Sequence, residues 1–332
     1  MARLRAAVIG AGYLGRFHAE KYAVLEDTVL TAVVDPIAER ARGLAVSHGA
    51  RAYTDHLSVL DRIDLASIVV PTEAHFEIAR ACLEAGVHVL IEKPMTRTVE
   101  EADALIRIAR QRGLVLQVGH LERFNPALQA LAGTLKKPLF IESHRIASFQ
   151  PRGTDVSVVL DLMIHDIDIV LTMVKSELSA IRAVGVPVLS PEVDIANARL
   201  EFQDGCVANV TASRVSHSPM RKVRVFQADA YISIDYQERT IAIARREADP
   251  AAEPYGFRIV QEARSFEHSD PLGLELRAFA TSVRDGTAPV VSGEDGRRAL
   301  QVALAVGEGI EATARARQRE TSTQPVDGAG ST

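Results

Sequence analysis

The chain has 332 residues, of which 47% are hydrophobic and 24% charged, with a formal net charge of −5 at pH 7. This length exceeds one ordinary hydrophobic core and predicts two domains. The acidic balance excludes a globally basic nucleic-acid-binding or membrane-surface protein. The two cysteines lie far apart in the sequence and exclude a disulfide framework.

The N-terminus runs straight into a predicted strand and has neither the apolar region nor the cleavage site of a secretory signal. Residues 156–174 are almost long enough to span a bilayer, but three aspartates and a histidine near the middle argue against insertion. We therefore expect a cytoplasmic protein with neither a membrane nor a nucleic-acid partner.

A glycine-rich turn follows the first short apolar strand and precedes a helical pattern. Gly10, Gly12 and Gly15 form G-x-G-x-x-G in the context that dinucleotide binding requires. A second strand ends at Asp35, twenty residues after Gly15. That spacing suits a carboxylate that accepts hydrogen bonds from an adenosine ribose, which favours NAD over NADP. Asp35 could instead, or also, cap the helix that follows it.

Strands and helices continue to alternate up to about residue 118, which predicts the α/β class: a Rossmann domain with a doubly wound parallel sheet. Ligands of such sheets bind beyond the carboxyl ends of the strands. The positions expected at these ends are Gly10, Asp35, Thr72, Glu92 and His120. Lys93 lies between Glu92 and a proline at one of them; it is either a catalytic group or a surface lysine paired with Glu92.

β-type segments dominate the second half and predict an α+β domain with a mostly antiparallel, open sheet. The predicted strands are 140–149, 180–188, 195–202, 207–215 and 223–234, with a hairpin over 231–244 and helices over 272–284 and 295–314. We expect domains at 1–121 and 122–316, and a disordered, polar tail at 317–332.

Residues 156–174 predict one buried helix with an ionisable stripe. Asp161, His165 and Asp168 are spaced i, i+4 and i+7, which places them on one helical face. The stripe is either a satisfied core network or a proton-handling site. A metal site at His165, Asp166 and Asp168 is not expected, because adjacent helical residues point in different directions and no further ligand cluster is present.

Several motifs together resemble the glucose–fructose oxidoreductase / inositol dehydrogenase / MocA family. They are the glycine motif with His18, Glu92-Lys93-Pro94, Arg123-Phe124-Asn125-Pro126, and Asp161-x-x-x-His165, and the resemblance extends to about residue 315. It implies a Rossmann domain followed by an open-sheet domain through which a homodimer or homotetramer forms. One departure is Val70-Pro71-Thr72, where many members carry Thr-Pro-Asn.

The resemblance also implies site residues. NAD would be bound by Gly10, Gly12, Tyr13, Leu14, Asp35, Thr72, His75, Glu92 and Lys93, and the catalytic set would be Lys93, Asp161 and His165. We expect His165 to be the base, with Asp161 orienting it and Lys93 stabilising the developing negative charge. Which of Lys93 and His165 accepts the proton stays open, because the two would titrate together.

Within the family, residues 119–126 and 155–168 are most similar to members that oxidise the 3-hydroxyl of UDP-N-acetylglucosamine. Their 3-keto product feeds an aminotransferase in lipid A or cell-surface sugar synthesis. The residues expected to bind such a substrate are Lys93, Arg123, Asn125, Arg145, Arg152, Asp161 and His165, with Lys222 as a further phosphate candidate. The alternatives are an inositol or free-sugar dehydrogenase and a regulator that binds NAD without chemistry.

Overall fold

The computed structural model describes residues 2–131, 133–150, 156–251, 254–266 and 269–323. The strands are β1 Leu4–Ile9, β2 Thr28–Val34, β3 Arg51–Tyr53, β4 Leu65–Ile68, β5 His88–Glu92, β6 Leu116–Gly119, β7 Pro138–Ile146, β8 Leu178–Val186, β9 Ile195–Phe202, β10 Val207–Ser213, β11 Met220–Gln227, β12 Ala230–Asp235, β13 Thr240–Ala248 and β14 Phe257–Ser265. The helices are α1 Tyr13–Val24, α2 Ala38–Ser47, α3 His75–Glu84, α4 Val99–Arg112, α5 Pro126–Gln129, α6 Ile164–Met173, α7 Pro271–Asp285 and α8 Gly293–Thr323.

The chain forms two compact units. The first comprises Met1–Thr134, Glu238–Thr240 and Arg264–Gln301, and the second comprises Leu135–Gln237, Ile241–Ala263 and Val302–Thr332. Within the described residues, no helix is both long and apolar enough to cross a bilayer.

A six-stranded parallel sheet in the order β3-β2-β1-β4-β5-β6 organises the first unit. This is the strand order of the dinucleotide-binding fold, so the Rossmann prediction is confirmed. All four residues of β4 are buried, as expected for a central strand covered on both faces. The three-residue β3 was not predicted, because so short a strand has no readable periodicity.

Helix α7 belongs to the first unit, although the sequence placed residues 122–316 in the second domain. Its Leu276, Phe279 and Ala280 are buried in the same apolar cluster as Tyr22 of α1. The helix begins after Asp270, whose side chain accepts a hydrogen bond from the backbone of the first turn. The burial of this apolar face is the physical reason that the domain boundary differs from the expected one.

The second unit is built on an eight-stranded sheet in the order β14-β13-β12-β11-β7-β10-β9-β8. Of the described pairings, β7 with β10 is parallel and the others are antiparallel, which confirms a mostly antiparallel sheet. A turn at Gly205 joins β9 to β10, and its φ of 86° requires the left-handed conformation that glycine adopts readily. The segment 223–234, expected as one strand, is part of the hairpin β11–β12, and the edge strand β14 was not predicted.

The expected single helix over 156–174 is interrupted at its start. Val159–Met163 form one π-helical turn, and α6 follows directly. A π turn closes i→i+5 hydrogen bonds and therefore breaks the regular i, i+4, i+7 stripe. Asp161 and His165 are partly exposed, whereas Asp168 is buried at 1% exposure. At the other end of the chain, α8 continues to Thr323, and residues 324–332 of the expected tail lie outside the described residues.

Candidate active site

The glycine turn between β1 and α1 has the shape of a phosphate cradle. A Cβ on Gly10 would lie 2.1 Å from the Val69 carbonyl oxygen, and one on Gly15 would lie 1.8 Å from the Gly10 carbonyl oxygen, so both positions require glycine. At Gly12 no described atom lies within 4 Å of the Cβ position. Gly12 is also the N-cap of α1, and no described side chain caps it. Backbone N–H groups at this helix start thus remain for an anionic ligand.

Asp35 is held beside this turn at 6% exposure. Its Oδ2 accepts a hydrogen bond from the Ala11 N–H at 2.9 Å, and its Oδ1 accepts one from the Ile37 N–H at 2.9 Å. The N-cap residue of α2 is Ile37, so Asp35 supports the start of that helix only indirectly and does not cap it, as the alternative role would require. Each carboxylate oxygen has two lone pairs, so both can still accept from ribose hydroxyls. Together the cradle and this carboxylate fit NAD.

Glu92, at the end of β5, is fixed by groups from two neighbouring elements. His18 Nε2 lies 3.2 Å from Glu92 Oε1, and the Lys93 N–H donates to Glu92 Oε2 at 3.3 Å. Gly119, at the end of β6, leaves room for the carboxylate: a Cβ there would lie 2.9 Å from Glu92 Cδ. Burial opposes ionisation, but the hydrogen bond from His18 and the charges of His18 and Lys93 hold the pKa of Glu92 below its ordinary value. His18 belongs to the glycine motif of the sequence analysis, but its contact with Glu92 was not predicted.

His75 lies between two backbone carbonyls of the same rim. Its Nδ1 is 2.9 Å from the Pro94 oxygen and its Nε2 is 2.9 Å from the Val70 oxygen. Burial lowers the pKa of His75, although the two carbonyls partly offset that effect. The neutral ring donates to one carbonyl at a time. The ring therefore ties the chain after β4 to the chain after β5, and its nitrogens are occupied by the backbone rather than presented to a ligand.

The other expected cofactor residues of the first unit are more accessible. Tyr13 and Leu14, at the start of α1, are 62% and 48% exposed. Thr72 opens a short 3₁₀ turn, and Thr72 and Lys93 are both partly exposed. These four side chains can reach a ligand at the carboxyl edge of the parallel sheet.

The expected substrate residues of the first unit have partners within it. Arg123 Nη2 lies 3.5 Å from Asp295 Oδ1, with 12% of the Arg123 side chain exposed. Asn125 Oδ1 accepts a hydrogen bond from the Ala127 N–H at 3.0 Å and so caps α5. Arg123 thus has an acidic partner in the same unit, and the Asn125 side-chain oxygen is committed to the backbone.

In the second unit, Arg145 has a protein partner in place of the expected phosphate. Its Nε donates to Asp166 Oδ2 at 2.5 Å, and Asp166 Oδ1 accepts from Ser143 Oγ at 2.7 Å. Arg145 is 4% exposed and Asp166 is 1% exposed, so this is a buried ion pair inside the unit. Lys222 lies 3.8 Å from Asp235, and Arg152 lies outside the described residues.

Sequence reasoning missed a second buried ion pair near the same helical segment. Arg214 Nε donates to Asp194 Oδ1 at 2.8 Å, and Arg214 Nη1 donates to the Val156 carbonyl at 2.7 Å. Asp194 Oδ2 also accepts the three consecutive N–H groups of Val188, Leu189 and Ser190. Burial alone would raise the pKa of Asp194, but these donors hold it well below its ordinary value.

Glu275 of α7 is the other group that the sequence did not reveal. It is completely buried, and within the described part of the chain neither carboxyl oxygen has a hydrogen-bond partner. Burial raises the pKa of Glu275 well above its ordinary value, and the negative charge of Glu92 raises it further. Burial without a hydrogen-bond partner therefore favours the neutral form of this carboxyl group.

Two family models match the chain. The model described as "Oxidoreductase family, NAD-binding Rossmann fold" matches residues 4–120, and the model described as "GFO/IDH/MocA C-terminal domain" matches residues 140–233. A UDP-N-acetylglucosamine 3-dehydrogenase of Acidithiobacillus ferrooxidans is 41% identical over 314 residues, which cover 94% of this chain and 99% of the relative. Its solved structure has a TM-score of 0.87, with 40% identity over 94% of this chain and 99% of that chain.

More distant relatives include other dehydrogenases. A myo-inositol 2-dehydrogenase of Thermotoga maritima is 27% identical over 330 residues, covering 93% of this chain and 96% of the relative. A scyllo-inositol dehydrogenase of Lactobacillus casei, solved with NAD(H) and scyllo-inositol, has a TM-score of 0.79 and 21% identity, and the match covers 94% of this chain and 98% of that one. The last similarity shows the shared fold.

Proposed function

The chain belongs to the GFO/IDH/MocA family of NAD-binding oxidoreductases, and we propose that it oxidises the 3-hydroxyl of UDP-N-acetylglucosamine with NAD as the hydride acceptor. The single observation that carries the proposal is the 41% identity over 94% of the chain to a dehydrogenase named for that reaction. The intact NAD cradle and the presence of Lys93, Asp161 and His165 at the family positions support it.

Three side chains supply the proposed acid–base chemistry. When bound, NAD would supply the hydride acceptor for the carbon that bears the reacting hydroxyl. His165 accepts the hydroxyl proton, Asp161 orients its ring, and the Lys93 ammonium stabilises the negative charge that develops on the oxygen. The partial exposure of all three side chains agrees with groups that must meet a ligand. A positioned base of this kind contributes on the order of 10²–10⁴ in rate.

The diphosphate of the substrate requires cationic donors. Arg145 is removed from the candidates because it is buried and paired with Asp166. We assign this role to Arg123, whose contact with Asp295 is long, and to Arg152. Guanidinium groups suit phosphate oxygens because they can donate two parallel hydrogen bonds. Charge-neutral variants at either position should raise the KM for the UDP-sugar and leave the Kd for NAD unchanged.

Purified protein should reduce NAD when given UDP-N-acetylglucosamine, as followed by NADH absorbance. His165→Ala and Lys93→Ala should bind NAD normally and turn over at least about 10²-fold more slowly. Unchanged turnover in both variants would contradict the assigned roles. Reduction of NAD with myo-inositol but not with UDP-sugars would instead favour the inositol dehydrogenase that the Thermotoga relative represents. NAD binding without turnover on either substrate class would favour a regulator.

The expected product is a 3-keto nucleotide sugar, which an aminotransferase can convert to a 3-amino sugar. We place this step in the cytoplasm, in the supply of amino sugars for lipid A or a related cell-surface glycan. Formation of a UDP-3-amino sugar when the protein is mixed with an aminotransferase of matching specificity, glutamate and NAD would test this assignment. Accumulation of NADH with no amino product would contradict it.

We further propose a homodimer or homotetramer formed through the outward face of the eight-stranded sheet. Phe140, Phe226 and Tyr231 form a row of tilted rings there across three strands, with neighbouring ring centroids 5.7 and 5.2 Å apart, and each is partly exposed in the single chain. Phe226→Arg should lower the mass measured by light scattering. Val24→Arg, at a 72% exposed position in the first unit, serves as the matched control and should leave the mass unchanged.

A further inference from the structure

Two buried ion pairs hold the helical segment that carries Asp161 and His165. At its start, Arg214 donates to the Val156 carbonyl at 2.7 Å while its Nε is bound to Asp194. At the residue after His165, Asp166 is bound to Arg145 of β7 at 2.5 Å. The π turn lies between these two attachment points.

One attachment is anchored in strand β7, and the other is anchored where Asp194 precedes β9. Ser143 and Arg145 both point from β7 toward the buried face, as the alternating burial of that strand shows, and both donate to Asp166. Because the two oxygens of Asp166 are held by different donors two residues apart, the carboxylate cannot rotate without losing one bond. The main chain next to His165 is thereby fixed to the central strand of the sheet.

The other attachment is equally constrained. Arg214 directly follows β10, and its N–H donates to the Asp194 carbonyl at 3.0 Å. Asp194 is fully buried and gathers the backbone of residues 188–190, while the Val158 N–H donates to the Val193 carbonyl at 3.0 Å. The start of the segment is therefore bonded both through the Arg214 fork and through the main chain.

A π turn is uncommon and is found most often at functional sites. It places one extra residue in a helical turn, so the direction of Asp161 relative to His165 depends on where the extra residue is accommodated. The chain is fixed at Val156 and at Asp166, and the five-residue π turn Val159–Met163 lies within the nine residues between them.

We propose that Asp166 and Arg214 are positioning residues for catalysis: they fix both ends of the π turn and thereby set the direction of Asp161 and His165. This inference rests on the proposed function in assigning the chemistry to those two side chains. It gives a role to Asp166, which the sequence singled out without one, and to an arginine that the sequence did not single out at all.

The test uses Asp166→Asn and Arg214→Met in the full-length protein. Hydrogen–deuterium exchange should become faster in residues 156–166 and remain unchanged in β12 and β13, and this readout needs no substrate. With UDP-N-acetylglucosamine, kcat should fall roughly 10–100-fold, since a displacement of about 1 Å can cost on the order of 10²-fold. The Kd for NAD should not change, because its cradle lies in the first unit.

Two further variants separate positioning from simple loss of stability. Ile232→Val lowers stability elsewhere in the same unit and should leave kcat per folded molecule, and the primary isotope effect with 3-deuterated substrate, unchanged. The triple variant Ser143→Ala, Arg145→Met, Asp166→Leu replaces the buried polar group by apolar side chains, which proteins often tolerate. It should restore the Tm without restoring kcat, and its isotope effect should be at least as large as that of the parent.

Unchanged exchange in residues 156–166 of both single variants would overturn the inference. Full recovery of kcat in the triple variant would overturn it as well, because packing alone would then suffice. Inactivity of the parent on UDP-N-acetylglucosamine would contradict the proposed function, and the exchange measurement would still decide this inference.

Discussion

Glu275→Gln tests whether a carboxylic acid is kept neutral in the core of the first unit. The carboxyl group is fully buried, neither oxygen has a described hydrogen-bond partner, and Glu92 adds a nearby negative charge. Glutamine has nearly the same shape as the protonated acid but cannot ionise. The variant therefore removes only the pH-dependent part of the contribution of Glu275 to stability, apart from a constant difference in packing and hydrogen bonding.

The sign of the effect follows from proton binding. In the unfolded chain a glutamate has a pKa of about 4.3. In the folded protein burial raises the pKa of Glu275, so the carboxyl group keeps its proton to higher pH. Unfolding then releases a proton, so raising the pH favours the unfolded state. The cost grows by about 1.4 kcal/mol per pH unit above the unfolded pKa, up to the folded pKa. Glu275→Gln abolishes this slope and should become progressively more stable than the parent as the pH rises.

The assay is thermal unfolding of parent and variant at several pH values between 5.5 and 7.5. Over two pH units the free energy of unfolding of the variant should gain up to about 2.7 kcal/mol on that of the parent, because the slope persists only up to the folded pKa. For a unit of this size the full gain corresponds to a relative rise in Tm of roughly 5–11 °C. Glu73→Gln, at an exposed position of the same unit, is the control and should track the parent. A difference in Tm that stays constant with pH, or shrinks as pH rises, would refute the assignment of a neutral acid.

Gly119→Ala should displace the Glu92 carboxylate, weaken NAD binding and destabilise the protein by about 1–3 kcal/mol. Thermal melting with and without NAD measures both effects. The control Gly43→Ala, on the open side of α2, should be neutral or slightly stabilising. Asp35→Ser removes the carboxylate that accepts from the Ala11 N–H and is expected to accept from the ribose hydroxyls. The Kd for NAD, measured by calorimetry, should therefore rise about 10–100-fold. An unchanged preference for NAD over NADP would contradict that role. Tyr22→Phe removes the buried hydroxyl that is hydrogen-bonded to Ser67 at 2.8 Å. It should lower the free energy of unfolding, measured by chemical denaturation, by about 1–2 kcal/mol, and adding Ser67→Ala should recover part of this loss. Independent effects of the two changes would refute the pairing.

The parallel sheet could be predicted from the sequence because its signals are local. Glycines at fixed spacing after an apolar strand, and a carboxylate at the end of the next strand, are readable without any long-range information. The edge strand β14 has a weak signal, since most of its residues are exposed and polar. The break between β11 and β12 lacks a glycine or proline, so the segment 223–234 shows no turn in the sequence.

The candidate site was predictable in its motifs but not in its pairings. The sequence singled out Arg145 as a phosphate candidate, but whether this arginine binds a phosphate or a carboxylate depends on which strand face meets which helix. The sequence does place Arg145 on the same face of β7 as Ile141 and Ser143, because side chains two residues apart share a face. A polar residue on the buried face of a strand requires a hydrogen-bond partner, and this requirement indicates a protein partner for Arg145. Glu275 offered no comparable signal, because an acidic residue in an amphipathic helix is ordinary until its neighbours are known.

The environments of the carboxyl groups separate structural from chemical roles. His18 and Lys93 hold the pKa of Glu92 below its ordinary value, while burial without a partner raises the pKa of Glu275, so the pKa values of two acids of one unit shift in opposite directions. In the second unit, Asp166 and Asp194 are buried and paired with arginines. A group that must exchange a proton with a substrate needs access, which these buried acids lack. Asp161 and His165 are partly exposed and meet that requirement, which supports the proposed role of His165 as the base and of Asp161 in orienting it.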